Sequence, residues 1–215
     1  MRTEAIYGAA PIDLGIVDIS PREMMFWLYC PIKVPGTVGS AIPPNLFQFS
    51  GLVDVIAADI GAVRWYEHYV YITAKTLWCS PDNPGNRPDW HSDGFLTEDI
   101  NYIWYDANPT VFWESHERVS FTADHHASLA EMEAVCEPDV SKHRRYPPKH
   151  LLRLDQTVMH KVDTNILAGV RTFVKVSVSR HVYALNGNSI NHGLALNWAY
   201  QDRGTERNCP IGPTP

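Results

Sequence analysis

The stretch VRTFVKVSVSRHVYAL, residues 170–185, sets Thr172, Val174, Val176 and Val178 two apart. A period of two belongs to a strand with one buried face, not to a helix. The same β-branched and aromatic character recurs in YVYITAKTLWCS (69–80) and in INYIWYDANPTVFWE (100–114), which a turn at Asn108-Pro109 splits into two pieces. LLRLDQTVMHKV (151–162) reads as a strand ending near His160, and INHGLALNWAY (190–200) closes the set after the turn NGNS. Two helices are expected, over 50–69 and over HASLAEMEAVCE (126–137). Ser50 is placed to cap the first, with Leu52, Val53, Ile56, Ile60 and Val63 at helical spacing. Many strands without a strand–helix–strand rhythm imply a mainly β chain, a sandwich or barrel with one or two flanking helices. In that class an eight-stranded jelly roll is the form best able to hold a buried metal in its mouth.

The chain's 215 residues suit a single domain, 1–215, divided into an N-terminal extension with its helix (1–68) and a core (69–200). Pro11, Pro21, Pro31, Pro35, Pro43 and Pro44 leave room only for short strands or irregular segments in the first 50 residues. The tail GPTP reads as loose. A net charge of -6 disfavours duplex nucleic acid as a partner and leaves a small molecule or a protein residue as the expected substrate. The oligomeric state is not legible. Cys30, Cys79, Cys136 and Cys209 form no C-x-x-C pair, which points to free thiols in a reducing compartment. No signal peptide and no apolar run long enough to span a bilayer is visible, so the expected location is cytoplasmic.

NRPDWHSDGF (86–95) places His91 and Asp93 two apart after a Pro- and Gly-rich loop. In an extended chain both side chains aim the same way. A His-x-Asp pair is cheap in a chain with ten His, and order supplies the specificity: the pair follows a strand, His160 ends a later strand, and Arg171 opens the next. Two imidazoles and one carboxylate on one face of an octahedron leave three positions open, a set that suits non-haem Fe(II). An arginine's fork matches the far end of a dicarboxylate. Thr73, Lys75 and Leu77 share one face of the strand before the motif, and Asn101, Ile103 and Tyr105 share a face after it.

With HSD at 91–93, His160 and GVRTF at 169–173, residues 69–200 resemble the Fe(II)- and 2-oxoglutarate-dependent dioxygenases. The resemblance implies a double-stranded β-helix, a jelly roll, in which His91, Asp93 and His160 bind iron. It implies that Arg171 pairs with the distal carboxylate of 2-oxoglutarate. The implied reaction converts this co-substrate to succinate and CO2 while hydroxylating a second substrate. If the face carrying Lys75 turns inward, Lys75 can bond the co-substrate as well. Trp90, Trp104 and Trp113 suit either a cavity wall or a core. His125-His126 reads as a polar loop, because neighbours in a strand point to opposite faces. His181 and His192 are substitutes for His160 without an arginine at the right distance. Two other readings stay open: a cupin-like metalloenzyme that does not use 2-oxoglutarate, and a metal-free β-sandwich that binds or builds.

Overall fold

The computed structural model describes residues 1–3, 5–117 and 119–202. Cys209 and the GPTP tail lie outside the described residues. The chain is mainly β, with two antiparallel sheets. The strands are β1 (Ile12–Ile16), β2 (Met25–Lys33), β3 (Tyr69–Cys79), β4 (His91–Ser92), β5 (Ile100–Tyr105), β6 (Thr110–Trp113), β7 (His143–Arg145), β8 (His150–Leu154), β9 (Met159–Val162) and β10 (Gly169–Ser179). The larger sheet has the order β1-β8-β5-β10-β3-β2 and the smaller β4-β9-β6-β7. From β3 to β10, strands thus move back and forth between the two sheets.

The longest pairing joins β10 to β3 without a break from Gly169↔Cys79 to Ser179↔Tyr69. It divides the side chains by parity. Val174, Val176 and Val178 turn away from the smaller sheet, as do Ile72 and Ala74, and bury against α1 (Ser50–Ile60). There they meet Leu52, Val53 and Ile56, the stripe expected from the sequence. The opposite parity faces the smaller sheet: Phe173 packs with Ile103, Tyr105, Leu152 and Leu154 across to Phe112. A third cluster covers the far side of the smaller sheet, where α3 (His125–Cys136) brings Met132 and Cys136 against Trp90, Val111 and Trp113.

Several boundaries differ from the sequence expectation. The helix over 50–69 is two helices, because Gly61 takes φ 82 and α2 (Ala62–Glu67) starts afresh. Such a φ is open to glycine at little cost. The strand over 151–162 is β8 and β9 joined by a turn, one in each sheet. A continuous apolar run hid the change of sheet. The pattern over 170–185 stops as a strand at Ser179, and 190–200 holds only a short 3-10 turn at His192–Leu194. Part of the N-terminal extension, β1 and β2, edges the larger sheet on either side. His125 and His126 open α3, with Asp124 accepting from the Ala127 amide, so the expected polar loop is a capped helix start. Trp90, Trp104 and Trp113 are all core residues.

Cys30, Cys79 and Cys136 are buried and unbridged. Burial pushes the thiols of Cys30 and Cys136 up to about 12, which leaves them unreactive at neutral pH. Among the described residues no helix is long and apolar enough to cross a membrane. Ile72, fully buried at the centre of β3, tests the outer core. Ile72→Ala is expected to lower stability by about 2–5 kcal/mol in chemical denaturation, with the slope against denaturant unchanged.

Candidate metal centre

His91 and His160 come from strands that are neighbours in the smaller sheet. The register pairs His91 with His160 and Ser92 with Met159. Two side chains paired across strands point to the same face, and the two rings stand 4.4 Å apart between centroids. β4 is only two residues long, and flanking contacts fix it. The Trp90 amide donates to Glu133 on α3 and its indole to Glu137, the residue that caps the end of that helix. The Ser92 hydroxyl donates to the Gln156 carbonyl. The chain then turns at Gly94, whose φ is 74, and a Cβ there would come within 3.1 Å of Asp99 and Thr97. That turn directs Asp93 back toward the histidines.

His91, Asp93 and His160 offer ligand atoms that all lie within 4.8 Å of one another. His91 Nδ1 sits 2.8 Å from the Asp89 carbonyl and His160 Nδ1 3.3 Å from the Val158 carbonyl. Each ring therefore presents Nε2, the tautomer that a carbonyl partner selects for metal ligation. His160 Nε2 is 3.6 Å from Asp93 Oδ2. Two cis ligands bound at about 2.1 Å would stand about 3 Å apart, so a small side-chain adjustment closes the set. The triad can hold a metal ion, and its two-histidine, one-carboxylate composition fits a first-row divalent ion with open positions.

Burial, with the neighbouring His160, lowers His91 to about 3, so it is neutral and able to ligate at any physiological pH. Burial would raise Asp93, but Lys175, His160 and His91 outweigh it and hold the carboxyl well below its usual range. Burial likewise opposes the charge on Lys175, and Asp93 and Tyr29 reverse that and raise it. Lys175 Nζ lies 3.1 Å from Asp93 Oδ2 and 2.8 Å from the Tyr29 hydroxyl.

The triad opens into a cavity whose walls include Tyr29, Thr73, Lys75, Arg87, Asn101, Phe173, Lys175, Ser177 and Tyr183. Of the co-substrate contacts read from the sequence, Lys75 is on this wall, donating to the Gly85 carbonyl and to Asn86 Oδ1. Arg171 shares the strand face of Phe173 and Lys175 yet does not line the cavity. It is 2 % exposed, and its Nε donates to the carbonyls of Ala107 and Asn108. Its Nη2 is buried with no hydrogen-bond partner. Burial lowers its guanidinium to about 10. His125 reaches the cavity wall from the start of α3, while His181 and His192 do not line it. Sequence reasoning missed Tyr29, Asp99 and Tyr183, the last two joined hydroxyl to carboxylate. Lys175 was legible as a parity partner of Arg171. Tyr29 carried no signal, because a left-handed φ of 44 aims it inward.

No protein-family model matches the chain, and no curated protein is significantly similar to it in sequence. What the site does must therefore follow from its own chemistry.

Metal-free protein is expected to take up one divalent first-row ion, and Asp93→Ala to abolish that uptake in equilibrium dialysis. Stoichiometric metal in the variant would remove the triad as the ligand set. A second expectation concerns acid. The folded His91 titrates near 3 and the unfolded one near 6.5, so between these values the unfolded chain binds the extra proton. Metal-free stability should fall as pH drops from about 6.5 toward 3, and His91→Gln should flatten that slope in denaturant midpoints taken at stepped pH.

Proposed function

We propose that this chain is an Fe(II)- and 2-oxoglutarate-dependent dioxygenase that hydroxylates a small molecule or a protein residue. The observation that carries the reading is the convergence of His91, Asp93 and His160 at a cavity with Lys75 on its wall. Support comes also from the strand order. β3, β5, β8 and β10 lie together in one sheet and β4, β6, β7 and β9 in the other, the alternation of a double-stranded β-helix. In that reading β3–β10 form a jelly-roll core, with β1, β2 and the helices added outside.

Bound Fe(II) would supply the redox chemistry that couples decarboxylation of 2-oxoglutarate by O2 to hydroxylation of the second substrate. The chain's own contribution is positional. His91, a neutral imidazole, and His160 stand on adjacent strands, and Asp93 supplies the one anionic ligand. Three protein ligands would hold the ion and leave it open to further ligands. Lys75 binds one co-substrate carboxylate from β3. For the distal carboxylate we assign the unpartnered Nη2 of Arg171, which stands beside Phe173 and off the cavity wall, so that the Phe173 ring must move for the two to meet. A buried donor without an acceptor costs about 1–3 kcal/mol, which a carboxylate would relieve. Phe173 and Tyr183 restrict water around the reacting centre. Thr73, Asn101 and Ser177 line the floor of the cavity with groups already hydrogen-bonded: Thr73 accepts from the Tyr29 amide, and Ser177 donates to Asn101.

Titrating 2-oxoglutarate into the anaerobic Fe(II) protein, with the metal-to-ligand charge-transfer band as readout, tests the reading. Breaking a buried carboxylate pair costs roughly 3–5 kcal/mol, so Arg171→Ala should weaken binding by roughly a hundredfold or more while Fe(II) is retained. Loss of affinity in Lys75→Ala with none in Arg171→Ala would move the anchor to Lys75. Bound metal with no response of the wild type to 2-oxoglutarate would refute the dioxygenase and leave the cupin-like reading.

A further inference from the structure

Lys175 stands where a metal site has no evident need of a cation. It is 9 % exposed, and its ammonium contacts Asp93 Oδ2. That oxygen is also the one that faces His160 Nε2. A metal ion bound by the triad would therefore share its anionic ligand with an ammonium a few ångströms away. Lys175 has little freedom to withdraw. Its second contact is the Tyr29 hydroxyl, and Tyr29 is itself held: its ring packs edge-on against Tyr183, and its amide donates to Thr73 Oγ1.

The charges then do not balance. A divalent ion, the Asp93 carboxylate and the Lys175 ammonium sum to two positive charges at the centre itself, and Lys75 and Arg87 on the wall outnumber Asp99, so the pocket stays positive. Net charge in such a place is expensive. A dicarboxylate offsets more of it than a monocarboxylate does. We propose that Lys175 couples metal binding to binding of a dianionic co-substrate, weakening the site for the metal alone and restoring its affinity when the dianion enters. The proposal rests on the dioxygenase reading for the identity of the dianion. By linkage the effect is reciprocal: each ligand raises the affinity for the other by the same factor. Removing Lys175 also removes a group that orients Asp93, and such contacts are worth about 10- to 100-fold in metal affinity. The two effects oppose each other. The repulsion between a dication and an ammonium sharing one oxygen inside the protein is the larger, because low effective dielectric strengthens it. A neutral residue at 175 should thus bind metal more tightly than the wild type when no dianion is present.

The test is Mn(II) binding to the metal-free full chain, read from the paramagnetic resonance of free Mn(II), which needs no turnover. It is run alone, with 2-oxoglutarate and with the monoanion 2-oxobutyrate. Both oxo acids can chelate the metal, so their difference reports charge. In the wild type 2-oxoglutarate should tighten Mn(II) binding by about tenfold or more beyond 2-oxobutyrate, within the usual span of coupling factors. In Lys175→Met, Mn(II) alone should bind more tightly and that difference should fall to a few-fold. Lys175→Arg, which keeps the charge, should behave as the wild type. Lys175→Gln is the second neutral variant, should the methionine protein not fold. Equal coupling in the wild type and a folded neutral variant overturns the proposal. So does a wild type that binds Mn(II) and, by dialysis, 2-oxoglutarate without either affecting the other; that result leaves the dioxygenase reading standing. Mn(II) binding without any 2-oxoglutarate binding rejects the co-substrate and the coupling together. No Mn(II) binding at all rejects the metal centre itself.

Discussion

Everything in this molecule is arranged around the unbroken pairing of β3 with β10. Eleven residues of β10 lie in register with eleven of β3, and a strand can give only alternate residues to each face. One parity supplies branched apolar side chains to the layer under α1. The other supplies Phe173, Lys175 and Ser177 to the cavity, with Thr73 and Lys75 opposite. A slip of one residue would exchange the two sets, putting Lys175 into an apolar layer and Val174 against the His91, Asp93 and His160 cluster. The apolar face therefore fixes the register of the polar one. The outer core specifies the site without touching it.

The same parity explains what was legible in the sequence. Thr172, Val174, Val176 and Val178 announce one buried face, and once that face is known the inward position of Lys175 follows. His91 and Asp93 are two apart, so their common direction could be read, although a turn at Gly94 rather than a continuous strand brings the carboxylate round. His160 was found for a partly mistaken reason. It does not continue the strand of Leu152 and Leu154; it lies in the other sheet, across a turn, and Leu152 and Leu154 of β8 meet Val158, the residue before β9, between the sheets. Periodicity gives the face that a residue shares with its neighbours. It does not say when the chain changes sheet within an apolar run.

Arg171 shows the other limit. Parity puts it on the inward face, and it is there, but position along the strand decides what it meets. Two residues nearer the start of β10 than Phe173, it lies against the Ala107 and Asn108 carbonyls beside the Tyr105 and Phe173 rings. A guanidinium has five donors in a fixed plane. Spending one on two loop carbonyls orients the rest, and the orphaned Nη2 is the direction in which an acceptor is missing. The loop after β5 thus shapes the presentation of Arg171, a dependence that no spacing in the sequence records.

Tyr29 joins the site to the edge of the sheet. The register of β2 against β3 shifts between Trp27 and Cys30, and Tyr29 takes a left-handed φ of 44 within that irregularity. For a bulky residue this is a strained conformation, kept only where its surroundings over-determine it. Here the surroundings are polar and specific: Thr73 receives its amide, Lys175 donates to its hydroxyl and Tyr183 packs against its ring. A regular strand would carry residue 29 past the cavity in the plain alternation of its neighbours. The bulge instead re-aims one aromatic side chain, as bulges beside functional sites do. The cost falls on an edge strand, where the ladder is bonded on one side only. The central strands β10 and β3 stay regular.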